Sequence, residues 1–170
     1  QTEYSGEHPE LAELEAEPVD VDLDEFDRRL AAVPATIAAG MPAYSPTFDR
    51  VTMPPREAFT TPADYQGTLA HELVHWTGHE SRLHREYGKR FGDNAYAVEE
   101  LTAELGAAIL CGLHGVNPSA RNDHAAYLQH WIEVLRADPM VLWSVTGAAQ
   151  KAVDHVLTYS EVTHVTATAA

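Results

Sequence analysis

The sequence predicts an α+β domain: a small twisted antiparallel or mixed sheet packed on a mainly helical body. Three observations carry that expectation. Short apolar runs broken by Gly and Pro fill residues 35–53, as a few short strands would. From Pro62 almost to the end, apolar residues recur at helical spacing. Gly78, Gly115 with Pro118, and Pro139 stand where such helices would stop. The chain has 170 residues, 45% of them hydrophobic, enough for one domain with a real core.

Order is expected from about Asp22, which divides the chain into an acidic linker over 1–21 and a domain over 22–170. Leu23, Phe26 and Leu30 recur at helical spacing, with acids early and Arg28 and Arg29 late, as the helix dipole favours. Strands are expected at 35–39, 43–44 and 51–53, the last two joined as a hairpin through Pro46 and Asp49. Helices follow at about 62–78, 94–113, 119–136 and 139–158.

The net charge is −15, and residues 1–27 carry eleven of the 26 acidic residues with no Lys or Arg. A stretch such as 10–17, closing at Pro18, buries little apolar surface and is expected to be solvated. The charge argues against unaided binding to nucleic acid or to an anionic membrane. No run of 18 apolar residues offers a transmembrane helix, and no basic start precedes an apolar stretch as in a signal peptide. Cys111 is the one cysteine, which excludes an internal disulfide or a multi-cysteine zinc site. The expectation is a cytoplasmic protein. The start at Gln1 suggests a fragment of something longer.

The chemistry is concentrated in His71-Glu72-Leu73-Val74-His75. Two histidines four apart project from one helical face and can present imidazole nitrogens to one zinc ion. Glu72, one step round, is placed to take a proton from the water that zinc activates. Thr61, Pro62 and Asp64 supply an N-cap, a proline at the first helical position and a carboxylate at the third. The motif therefore falls inside a helix, and Gly78 stops it one turn past His75.

A third protein ligand is needed. His79 follows Gly78, where the helix ends, and the position a metzincin would use holds Ser81, a poor zinc ligand. The acidic cluster Glu99, Glu100 and Glu104 remains. Glu100 and Glu104 share a face with Ala97, Ala103, Ala107 and Ala108, whose small side chains let a neighbouring helix approach. Glu100 is the expected ligand, with Glu104 accepting a hydrogen bond from a ligand histidine. Glu99 points about 100° away and is expected to be an ordinary acid at a helix N-terminus.

Residues 68–79, then Ser81-Arg82-Leu83, then Tyr96-Ala97 with Glu99-Glu100-Leu101 and Ala103-Glu104-Leu105-Gly106, resemble the zincin-like metallopeptidase domain of ArdC-type antirestriction proteins. Tyr44 and 49–54 fit that family's hairpin, and 126–128 with Trp131 fit its later helices, so the resemblance covers roughly 30–158. Residues 100–107 are also similar to the Glu-x-x-Ala segment that supplies the third ligand in related radiation-response regulators. The resemblance implies a fold of the peptidase type. It further implies an N-terminal single-stranded-DNA-binding domain in the full-length protein, and a part in protecting incoming plasmid or phage DNA from restriction. That first domain is not among these residues, and no direct contact with nucleic acid is expected of them.

The leading functional expectation is a zinc metallopeptidase, gluzincin-like, with His71, His75 and Glu100 on zinc and Glu72 as general base. Its partner is a protein or peptide substrate lying along the sheet edge, and Tyr65, Tyr96 or His79 could serve as oxyanion donor. The alternative is a zinc-stabilised binding or regulatory module. Trp76, Trp131 and Trp143 are expected to pack in the core or between helices. His114, His124, His130, His155 and His164 show no metal-type spacing, and Cys111 reads as a small buried hydrophobe. The basic stretch over 82–90 is expected to be a solvated loop.

Overall fold

Asp22 caps the first helix, its carboxylate accepting from the Glu25 amide at 2.9 Å, and α1 (Leu23–Ala31) follows. It buries Phe26 and Leu30 and exposes its charged face. The structure is a computed structural model that describes residues 22–87, 94–119 and 124–166; the acidic linker expected over 1–21 lies outside these. Three short strands come next: β1 (Thr36–Ala39), β2 (Ala43–Ser45) and β3 (Arg50–Met53). The expected hairpin forms, with β2 antiparallel to β3 in the register Tyr44 opposite Val51. β1 lies on the other side of β3 and parallel to it, so the sheet is mixed in the order β1-β3-β2. The helices are α2 (Pro62–Thr77), α3 (Asn94–Leu113), α4 (His124–Ala137) and α5 (Val141–Thr166). The last runs eight residues beyond its expected end. No described helix is long and apolar enough to cross a membrane.

α2 begins at a complete capping box: Thr61 Oγ1 accepts from the Asp64 amide, and Asp64 Oδ2 accepts from the Thr61 amide. Every residue from Gln66 to Thr77 is buried, because α1, α3, α5, β2 and β3 all pack around this helix. Leu69, Ala70, Leu73, Val74 and Trp76 meet Val51 and Met53 of the sheet, Ala103, Ala107 and Leu110 of α3, and Ala152, Val153 and Val156 of α5 in one core. A smaller cluster joins Ala97 of α3 to Trp131 and Val134 of α4.

α2 and α3 approach closely at Gly106. A Cβ there would stand 2.9 and 3.0 Å from the two methyl carbons of Val74, which is fully buried. Gly106→Ala gains about 1 kcal/mol of helix propensity but overpacks the contact, at a cost of about 1–3 kcal/mol. Net destabilisation by urea denaturation is the expected result. Gly147 of α5 has nothing within 4 Å of the same added atom, so Gly147→Ala should stabilise instead.

One tryptophan departs from expectation. Trp76 and Trp131 are buried, but Trp143 is 73% exposed near the start of α5. His114 stacks on Phe26 and His155 lies against Trp76 and Tyr159, so both are packing residues. Cys111 is buried as expected. The side chains of His124, His130 and His164 lie outside the described residues.

Candidate metal centre

The close crossing of α2 and α3 brings three side chains together. His71 and His75 lie one turn apart on α2, their Nε2 atoms 3.2 Å from each other. Glu100 of α3 faces both, Oε1 at 3.4 Å from His75 Nε2 and Oε2 at 3.8 Å from His71 Nε2. These three residues form a candidate metal site with ligand atoms all within 4.8 Å. Donors bonded at 2.0–2.2 Å in a tetrahedron stand about 3.3 Å apart, so the observed separations fit a small divalent cation.

The surrounding carboxylates hold the imidazoles from behind. Glu104 Oε1 lies 3.3 Å from His71 Nδ1. Glu99 is a correction. It is 3% exposed and not an ordinary N-terminal acid: its Oε1 is 3.0 Å from His75 Nδ1. Burial opposes charge on His75, yet the hydrogen bonds its ring donates to Glu100 and Glu99 outweigh it and push the His75 pKa up to about 10. Burial likewise opposes charge on Glu99, but bonds from Arg85 and His75 hold its pKa below the usual carboxylate value. Glu99, Glu100 and Glu104 thus set three carboxylates around the two imidazoles, with the Arg85 guanidinium beside Glu99.

The segment 79–87 corrects a second expectation. Far from being a solvated loop, it turns back beneath the C-terminus of α2 through His84, whose φ is 51°. Arg82 lies over the Trp76 ring at 3.9 Å, donates from Nε to the Trp76 carbonyl at 2.7 Å, and pairs with Asp49 of the hairpin. Arg85 Nη2 donates to the Val74 carbonyl and the Tyr87 hydroxyl to the His75 carbonyl, both at 2.6 Å. Carbonyls in the last turn of a helix lack the usual i+4 donors, and these three side chains add to the bonds that the Gly78 and His79 amides and the Thr77 hydroxyl make there. Residues 88–90 lie outside the described residues.

Gly78 ends α2 as expected but for another reason. Its φ is −77°, open to any residue. What the position requires is space, since a Cβ would come within 2.6 Å of the Tyr87 hydroxyl and 2.9 Å of the Arg85 guanidinium.

Glu72 is 4% exposed on α2, one turn beyond Thr68. Thr68 lines a cavity of 790 Å³ between the first half of α2, the second half of α3 and residues 116–119. Phe59, Gly67, Ala107 and Val116 give it apolar walls, and His71 and Glu104 close its end at the candidate metal site. Its size is that of a ligand cleft. Of the oxyanion candidates, Tyr65 is engaged with Phe59 and Arg56, and His79 with Ser81; Tyr96 is half-buried at the start of α3.

A family model described as a zincin-like metallopeptidase matches residues 24–150. Two DNA primase TraC proteins of Escherichia coli are 38% and 40% identical over 135 residues, which is 78% of this chain but 13% and 9% of theirs. An uncharacterized protein, y4eC, of Sinorhizobium fredii (strain NBRC 101917 / NGR234) is 39% identical over 65% of this chain and 36% of its own. The Mn(II)-bound crystal structure of the antirestriction ArdC protein from plasmid R388 superposes with a TM-score of 0.69 at 40% identity. It covers 85% of this chain and 52% of that one; the metal-free form of the same protein gives 0.68. The chain thus spans about half of the solved relative and a smaller share of the others.

Proposed function

Because the chain belongs to the zincin-like metallopeptidase family, we propose that it is the zinc-dependent peptidase domain of a longer, antirestriction-type protein. The observation that carries this reading is the donor set. Among the described residues it has two imidazoles and one carboxylate and no fourth protein ligand, the composition of a catalytic site with an open position. His71, His75 and Glu100 would hold the ion, and two imidazoles with a carboxylate suit zinc. Zinc held there would supply a Lewis acid, able to polarise a peptide carbonyl and to lower the pKa of water to about 7. The Glu72 carboxylate takes a proton from the attacking water and returns it to the leaving amine. The 790 Å³ cavity ending at His71 receives substrate side chains, its walls favouring apolar ones. Protection of incoming DNA belongs to the longer protein with its DNA-binding domain; an acidic domain such as this one contributes no direct nucleic-acid contact.

Purified protein should hold about one zinc per chain, and zinc should displace Mn(II), which stands lowest in the affinity order of divalent metals. Zinc-loaded protein should cleave an unfolded protein mixture, and chelator-treated protein should not. Gly112 lines the cavity with nothing within 4 Å of an added Cβ. Gly112→Leu should therefore fill the cleft, keep zinc and fold, and abolish cleavage before or after bulky apolar residues. The burial of Glu72 favours a second reading, a zinc-stabilised binding module without proteolysis. Full zinc occupancy with no cleavage under any of these conditions would select it.

A further inference from the structure

Arg85 lies outside the motif on α2 and outside the acidic cluster on α3, yet it touches both. Its Nε donates to Glu99 Oε2 and its Nη2 to Glu99 Oε1, each at 2.8 Å, a bidentate pair. Nη1 donates to Thr77 Oγ1 at 2.8 Å and Nη2 also to the Val74 carbonyl. Four bonds to α2 and α3 leave the guanidinium little freedom. Glu99 is held at both oxygens, and the Oε1 that meets Arg85 also meets His75 Nδ1. A carboxylate on Nδ1 keeps the proton there and leaves Nε2 as the lone-pair donor. Nε2 is the atom His75 turns toward His71 and Glu100.

We propose that Arg85 is a positioning residue of the metal centre: it fixes Glu99, and through Glu99 it fixes the ring plane and tautomer of His75. The inference rests on His75 being a metal ligand. Gly78 belongs to the same device, since its missing Cβ is what lets the guanidinium reach under the helix. The turn at His84 is what sends the chain back to place it.

The test measures zinc affinity of the folded protein by competition with a chromophoric chelator, the absorption spectrum of the Co(II) form, and thermal stability of the metal-free protein. Arg85→Met should weaken zinc binding by about 10- to 100-fold and alter the Co(II) spectrum. Arg85→Lys should recover part of the affinity, because the charge returns without the bidentate fork. Gly78→Ala suits the backbone but displaces the guanidinium, so it should weaken zinc binding as well. Arg82→Met removes bonds from the same segment without touching His75 or Glu99, and should leave affinity and spectrum unchanged whatever it does to stability.

If Arg85→Met or Gly78→Ala lowers stability while affinity and spectrum match wild type, Arg85 is structural only and the proposal is overturned. Should Arg85→Met fail to fold, the Lys and Gly78→Ala variants carry the same comparison. His75→Ala separates the two levels. Unchanged zinc affinity in that variant would remove the ligand assignment itself, and this proposal with it. Lost affinity there, together with wild-type affinity in the Arg85 variants, would overturn the positioning role alone.

Discussion

Glu72→Gln is expected to keep metal and fold and to slow peptide hydrolysis by about 100- to 10,000-fold, roughly 3 to 5 kcal/mol in the barrier. The substitution preserves the shape of the side chain and removes only its ability to take a proton. Glu72 stands beside His71 in sequence but is not one of the three clustered ligand residues, so zinc content should not change. Metal analysis alongside a cleavage assay checks both halves. Equal cleavage by the two proteins would show that another group is the base. A variant that loses zinc would show that Glu72 reaches the metal.

Glu100→Ala and Glu99→Ala separate ligand from support. Removing Glu100 takes away one of three donors and leaves two buried imidazoles facing each other, so zinc affinity should fall by more than about 100-fold, beyond the usual effect of an outer residue. Removing Glu99 keeps all three donors but frees the His75 ring and strands the Arg85 guanidinium, for an expected loss of about 10- to 100-fold. The reverse ranking in a chelator titration would mean that Glu99, not Glu100, binds the ion.

Much of this centre was legible from local pattern. The capping box at Thr61, the stop at Gly78 and the four-residue spacing of His71 and His75 depend on neighbours along one helix, and the structure has all of them. The choice of Glu100 required only that a small-residue stripe mark the face turned to α2. Ala103 and Ala107 of that stripe do join the core with α2, whereas Ala97 packs against α4 and Gly106, outside the stripe, meets Val74. Glu99 was misjudged because a residue about 100° from one buried face need not face solvent. Here it faces the segment after α2, whose path no periodicity encodes. Arg85 was invisible for the same reason, although a carboxylate near a metal helix and a cation ten residues past the second histidine was a signal worth weighing. The parallel pairing of β1 with β3 is likewise non-local, and Trp143 shows that a large aromatic residue is not by itself evidence of a core.

Every residue of α2 from Gln66 to Thr77 is buried, with α1, α3, α5 and the sheet packed against it, which bears on how the domain comes apart. Local fraying releases amide protons from segments with few packed neighbours, whereas this helix can expose its amides only when the layers around it separate together. Its deuterium uptake should track the global unfolding free energy, and binding of an ion at its end should slow that uptake along the whole helix by one common factor. The metal helix would then act as the last element to open, and the centre would persist until the molecule itself is lost.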